Sequence, residues 1–214
     1  MTNKLLNIIK SKYPVNELDI GEFATLKANG MKFTVKAYKA EGIGHVSVMC
    51  ASGFFGLMKM DTLIINPSGK DLPLYSYDRI YAAGNDTLIV ELYDTLLGEA
   101  SQDALLAVKE KYSSLPERDP GEHWYDDIKL SSSISKKGKK ADTKAFDSFT
   151  VEHFEAYLDT DAASVEDKKA KIARSEIYVN GLLTNGGPST DVFKKALGEQ
   201  KTANLFKKVL FGTE

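Results

Sequence analysis

The stretch GLMKMDTLIINPSGKDLPLYSYDRIYAAGNDTLIVELYD, residues 56–94, decides the fold. It divides at Asn66-Pro67-Ser68-Gly69 and at Ala83-Gly84-Asn85-Asp86 into three apolar runs of strand length. Such clusters of Gly, Pro, Asn and Asp punctuate strands. Connections this short force antiparallel neighbours, because a parallel pair needs a long crossover. Each run also carries an acid: Asp61, Asp78 and Asp94. Aspartate packs poorly on a pleated surface and competes for its hydrogen bonds, and repeated breaks of a local rule tend to fall where function lies. The competing reading is a solvated face or a strand end.

Side chains two apart share a face of a strand. Asp61 then lies with Leu57, Lys59, Leu63 and Ile65; Asp78 with Leu74, Ser76 and Ile80; and Asp94 with Leu88, Val90 and Leu92. Neither face is cleanly polar, so both faces of the sheet are expected to be covered. A carboxyl group in that setting is desolvated and its pKa rises. A carboxylic acid that keeps its proton near neutral pH can act as a proton donor.

Working outward, EFATLKANG followed by the alternating Met31, Phe33, Val35 and Ala37 reads as a hairpin of residues 22–28 and 31–39 through Asn29-Gly30. HVSVMC, residues 45–50, adds a strand, for a meander of about six strands. Before it, Leu5, Leu6, Ile8 and Ile9 predict an amphipathic helix over 3–12, ended at Tyr13-Pro14. After it come a helix through Ala104–Tyr112 and a polar, loop-like segment over 113–144 with Lys136, Lys137, Lys139, Lys140 and Lys144. Helices follow from Phe146 to the end: one through Phe149, His153, Phe154, Tyr157 and Leu158, one over 165–184 stopped at Asn185-Gly186-Gly187-Pro188, and two more. Helix, strands, then helices, with no βαβ alternation, is α+β. Two covered faces make it an α/β/α sandwich, expected to be a single domain over 1–214.

Composition narrows the function. A net charge of -2 gives no overall pull toward nucleic acid. A lone cysteine, Cys50, excludes an intrachain disulfide and a cysteine-based metal site, and His45, His123 and His153 are too scattered to suggest a zinc site. No apolar run reaches the length of a membrane span, and a cytoplasmic protein is expected. No dinucleotide fingerprint, P-loop or nucleophile elbow is present. His153 falls on an apolar stripe and reads as a packed histidine, and Trp124 as a packing anchor.

Two pieces are similar to the ferredoxin-dependent bilin reductases. DTLIINPSGKDLPLYSYDRI with TLIVELYDTL resembles that family's strand, proline-containing turn, Leu-Pro-x-x-x-x-Asp and later strand ending in Asp; LLTNGGPSTDVFKKALGEQKTANLFKKVLFG, residues 182–212, resembles its C-terminal helices. The resemblance implies an antiparallel sheet between helices, with an open-chain tetrapyrrole between the sheet and the C-terminal helices. It implies no metal and no bound cofactor. Electrons would come singly from a small acidic ferredoxin, and protons from side chains. Asp78 matches the family's catalytic aspartate. Its partner, histidine or asparagine in the family, falls near Asp61 with a one-residue gap, so that two acids would share one proton.

On this reading Arg79, Lys59 and Arg174 are candidates for holding the two propionates, His45 opens a strand and can reach a pocket, and Asp94 orients the site or caps its strand. The lysine run 136–144 suits an acidic donor by steering, or is a solvated loop. Three functions stand: a tetrapyrrole reductase, a non-catalytic tetrapyrrole carrier, and a structural interaction module whose acids are core features.

Overall fold

The computed structural model describes the backbone of all 214 residues and every side chain but that of Pro188. It is an α+β sandwich around one open antiparallel sheet. In chain order the elements are α1 (Thr2–Lys12), β1 (Val15–Leu18), β2 (Thr25–Ala28), β3 (Met31–Ala40), β4 (Gly44–Gly53), β5 (Met58–Pro67), β6 (Leu74–Ala82), β7 (Asn85–Tyr93), α2 (Asp103–Lys111), β8 (Ile134–Lys139), α3 (Thr143–Asp159), α4 (Lys168–Asn185), α5 (Pro188–Leu197) and α6 (Glu199–Asn204), which runs on into a π-helical turn over Leu205–Leu210.

The sheet order is β1-β3-β4-β5-β6-β7-β8, with β2 also on β3. β1 and β2 share one edge of β3: Val15–Leu18 pairs with Ala37–Ala40, and Thr25–Ala28 with Met31–Thr34. The meander from β3 to β7 is the one the turn residues predict. Two of the eight strands, β1 and β8, were not apparent from the sequence, and β8 lies inside the segment expected to be a loop. There Lys136 is buried and paired with Glu117, while Lys137, Lys139 and Lys140 are exposed.

Helices flank both faces, and two cores result. Under α1, α2 and α3 lie Leu5, Ile9, Val46, Leu63, Tyr75, Tyr77, Val90, Phe149 and Phe154. Under α4, α5 and the π turn lie Phe33, Val35, Met49, Ile64, Tyr93, Tyr178, Phe193, Phe206 and Leu210. Burying a side chain of this kind contributes roughly 1.5–3 kcal/mol, so each layer is fixed to the sheet by many such contacts.

Two local features set the C-terminal layer. Trp124 lies flat against α4 where Gly181 leaves room, since a Cβ there would come within 2.2 Å of the indole; its Nε1 donates to the Gly186 carbonyl at 3.2 Å. Lys171 of α4 is fully buried and donates to Asp71 at 2.8 Å and to the carbonyls of Leu72 and Thr95 at 2.6 and 2.8 Å. Asp71 also accepts from the amides of Leu97 and Gly98. A buried cation is tolerable only when its donors are satisfied in this way.

Candidate functional site

The helices on the C-terminal side leave part of the sheet open. Along β6 and β7 burial alternates: Tyr75, Tyr77, Arg79, Leu88 and Val90 are buried on the α1–α3 face, whereas Ser76, Asp78, Ile80, Thr87, Ile89 and Glu91 on the other face are all half-exposed. Met58 and Met60 of β5 continue the same half-open patch. Both faces are covered, as expected, but unequally.

Asp78 stands in that patch. It pairs with Thr62 on β5 and Ile89 on β7, so the three share a face. The Thr62 hydroxyl donates to Asp78 Oδ1 at 2.5 Å. Burial pushes the Asp78 carboxyl up to about 6; the charge of Glu91 adds to this and the Thr62 hydrogen bond opposes it. Part of its surface still meets solvent, but the surrounding strands and aromatic rings leave too little water to stabilise the charge fully. At neutral pH a measurable fraction of Asp78 therefore carries a proton, at a place a ligand can reach.

Glu91 is the diagonal neighbour, opposite Ser76, two residues from Asp78 along the ladder. Tyr93 donates to Glu91 Oε2 at 2.6 Å. Tyr93 stacks on Tyr178 of α4, ring centroids 4.0 Å apart, and Tyr125 meets both rings edge-on at 5.5 and 5.8 Å. The three phenols are held protonated by burial.

The other expected site residues divide. Asp61 is not the partner of Asp78. It pairs with Arg79, one position along from the Thr62–Asp78 pair, and the pleat turns it to the α1 face, where the Met1 ammonium sits 3.1 Å away. The place beside Asp78 belongs to Thr62. Arg79 is buried on that same α1–α3 face, clasped by Asp86 and lying over the rings of Phe146 and Tyr81 at 5.0 and 5.4 Å, so it is a core ion pair rather than a rim cation. Lys59 is exposed on the Asp61 side, and Arg174 is exposed on α4. His45 does face the C-terminal layer, but its Nε2 is engaged with the Val209 carbonyl at 2.7 Å, four positions along β5 from Thr62, and its ring fills the space that Gly212 leaves. Asp94 lies exposed just beyond β7 and accepts from the Leu96 amide at 3.2 Å, which makes it a turn cap. Sequence reasoning missed Thr62, Glu91 and the three tyrosines. The signal for the first two was present, since Thr62 adjoins Asp61 on β5 and Glu91 lies in the run that ends at Asp94.

A surface depression near the β1 edge, about 510 Å³ and lined by residues such as Glu17, Ile20, Thr34 and Lys36, is remote from this chemistry.

Comparison with solved structures identifies the architecture. The fold resembles that of tomato phytochromobilin synthase. The two superpose with a TM-score of 0.77 over 100% of this chain and 83% of the other, at 13% sequence identity, and the tomato protein was crystallised in complex with biliverdin. No protein-family model matches this chain, and no curated protein matches by sequence. At this identity the likeness to phytochromobilin synthase establishes a shared bilin reductase-like fold. No helix among the described residues is long and apolar enough to cross a membrane.

Proposed function

We propose that this protein is a cytoplasmic reductase of a linear tetrapyrrole, drawing electrons from a ferredoxin-type donor and a proton from Asp78. The observation that carries the reading is Asp78 itself: an acid held up to about 6, on a part of the sheet that the C-terminal helices leave half-open. That the same fold in phytochromobilin synthase accommodates biliverdin supports it.

The patch suits the ligand. Met58, Met60, Ile80 and Ile89 form an apolar bed around Asp78, as an apolar body with a few placed polar groups requires. Lys137 pairs with Thr87 and so faces the same side, at the exposed edge, where it can meet a propionate. Lys139, Lys140 and Lys144 extend the positive edge outward, which favours encounter with an acidic donor protein.

Reducing one double bond consumes two electrons and two protons. The donor, an iron–sulfur protein, supplies electrons one at a time. Asp78 gives one proton to the electron-rich tetrapyrrole, becomes a carboxylate, is reprotonated from solvent at the open mouth, and delivers the second proton with the second electron. No bound cofactor enters the scheme. Withdrawing Asp61 from the site removes the shared proton expected of two adjacent acids there, and leaves Asp78 as the donor.

The test is optical. Mixing the purified protein with biliverdin should shift its visible spectrum, and adding a reduced ferredoxin system should then bleach or move the band. A shift without turnover would mean a carrier instead. No shift would remove the tetrapyrrole reading.

A further inference from the structure

The Asp78 patch holds a second carboxylate that the proposed function does not use. Glu91 lies on the same sheet face, on the adjacent strand and two positions along. It is half-exposed, yet its Oε2 accepts from Tyr93 at 2.6 Å, and Tyr93 is itself locked against Tyr178 and Tyr125. A phenol buried this deeply keeps its proton and acts as the donor. Glu91 is thus a carboxylate group fixed in place beside Asp78.

We propose that Glu91 is a positioning residue for Asp78: a carboxylate held in place by Tyr93, whose charge enlarges the fraction of Asp78 that carries a proton for an electron-rich ligand. The inference deepens the reductase reading and rests on it for its purpose, although the coupling itself belongs to the ligand-free protein.

The arrangement works by charge. Diagonal neighbours of a sheet lie within about 8 Å of each other, close enough for the charge of Glu91 to disfavour ionisation of Asp78. Glu91 is held by the Tyr93 phenol. Asp78 is held by the Thr62 hydroxyl, whose hydrogen bond opposes the effect of burial. The remaining groups facing Asp78 are the phenols of Tyr125 and Tyr178 from the other layer, both neutral, and from the sheet edge the exposed Lys137, two strands away across Thr87. Arg79, the nearest cation in sequence, faces the other side and is neutralised by Asp86. Nothing fixed beside Asp78 cancels the charge of Glu91. Once Asp78 has given up its proton, two anions sit side by side, which speeds its reprotonation and resets the site.

The test needs no tetrapyrrole. Carboxyl ¹³C NMR follows the titration of Asp78, its signal assigned by its loss in Asp78→Asn. In Glu91→Gln the Asp78 midpoint should fall by about half a unit or more. Glu91→Asp keeps the charge and should restore most of the shift, and it serves as the second probe should Glu91→Gln fold poorly. An unchanged Asp78 midpoint in Glu91→Gln, or equal shifts in Glu91→Gln and Glu91→Asp, would overturn the proposal. Because this readout is taken without ligand, a negative result here leaves the biliverdin test standing, and a negative biliverdin test leaves the coupling standing.

Discussion

The Thr62 hydroxyl donates to the Asp78 carboxylate at 2.5 Å across the β5–β6 ladder. This hydrogen bond opposes the burial that drives Asp78 toward its neutral form. It therefore tunes how readily Asp78 gives up its proton. Replacing Thr62 with valine keeps the shape and removes the donor. The Asp78 midpoint should climb from about 6 by about one further unit, and the pH optimum of any turnover should move up with it. Carboxyl NMR of the variant checks the first, and initial rates between pH 5 and 9 check the second.

The same raised value has a consequence for stability, and its sign is fixed. Asp78 binds its proton more tightly in the folded than in the unfolded chain, whose carboxyl lies near 3.8. Its support for the fold is complete below that value and is lost as pH rises through about 6. Allowing for screening at the half-open mouth, the loss is on the order of 1–2 kcal/mol. Asp78→Asn keeps an acceptor for Thr62 and cannot ionise. The variant should be more stable than the parent at pH 8 by about that amount and nearly equal to it at pH 4. Urea unfolding at the two pH values decides this, and a variant less stable than the parent at pH 8 would contradict it.

Much of this was legible from residues 56–94, and what was not has a physical reason. Turn residues and alternation give the meander and the two covered faces. They do not give the register between strands. Asp61 and Asp78 each sit among aliphatic neighbours on their own strands, yet the β5–β6 pairing puts Asp61 opposite Arg79 and Thr62 opposite Asp78. Since the side-chain period is two, a difference of one position exchanges the faces. The one-residue gap admitted in matching Asp61 to a partner of Asp78 was therefore the whole difference between the right face and the wrong one. β8 was hidden for another reason. SISKKGK is poor in the β-branched and aromatic residues that mark strands, and it is held by pairing with β7 and by burial of Lys136 against Glu117. The tyrosines beside Glu91 come from three distant parts of the chain, β7, the segment before β8, and α4, and only tertiary structure brings them together.

Arg79 offers a direct check of the corrected assignment. Removing it strands Asp86 in the core, so Arg79→Met should cost about 3–5 kcal/mol. Its guanidinium faces α3 rather than the patch. The affinity of the protein that remains folded for biliverdin should then stay within about twofold of the parent, a difference under about 0.5 kcal/mol. Spectral titration well below the unfolding temperature measures it. A loss of tenfold or more would place Arg79 at the ligand.

Lys171 tests what fixes the C-terminal layer. Its ammonium holds Asp71 and two carbonyls that have no other donor at hand. Lys171→Met leaves them buried and half-satisfied and should destabilise the fold by about 3–5 kcal/mol, read as a lower urea midpoint. A cost under about 1 kcal/mol would mean that water replaces the ammonium without strain.

The central claim is that Asp78 supplies the proton. Turnover of biliverdin under a reduced ferredoxin system, compared between the parent protein and Asp78→Asn with binding verified from the spectrum of each, tests it most directly. The account predicts that the variant binds the pigment and reduces it at least about 100-fold more slowly. Reduction by Asp78→Asn at the parent rate would contradict it.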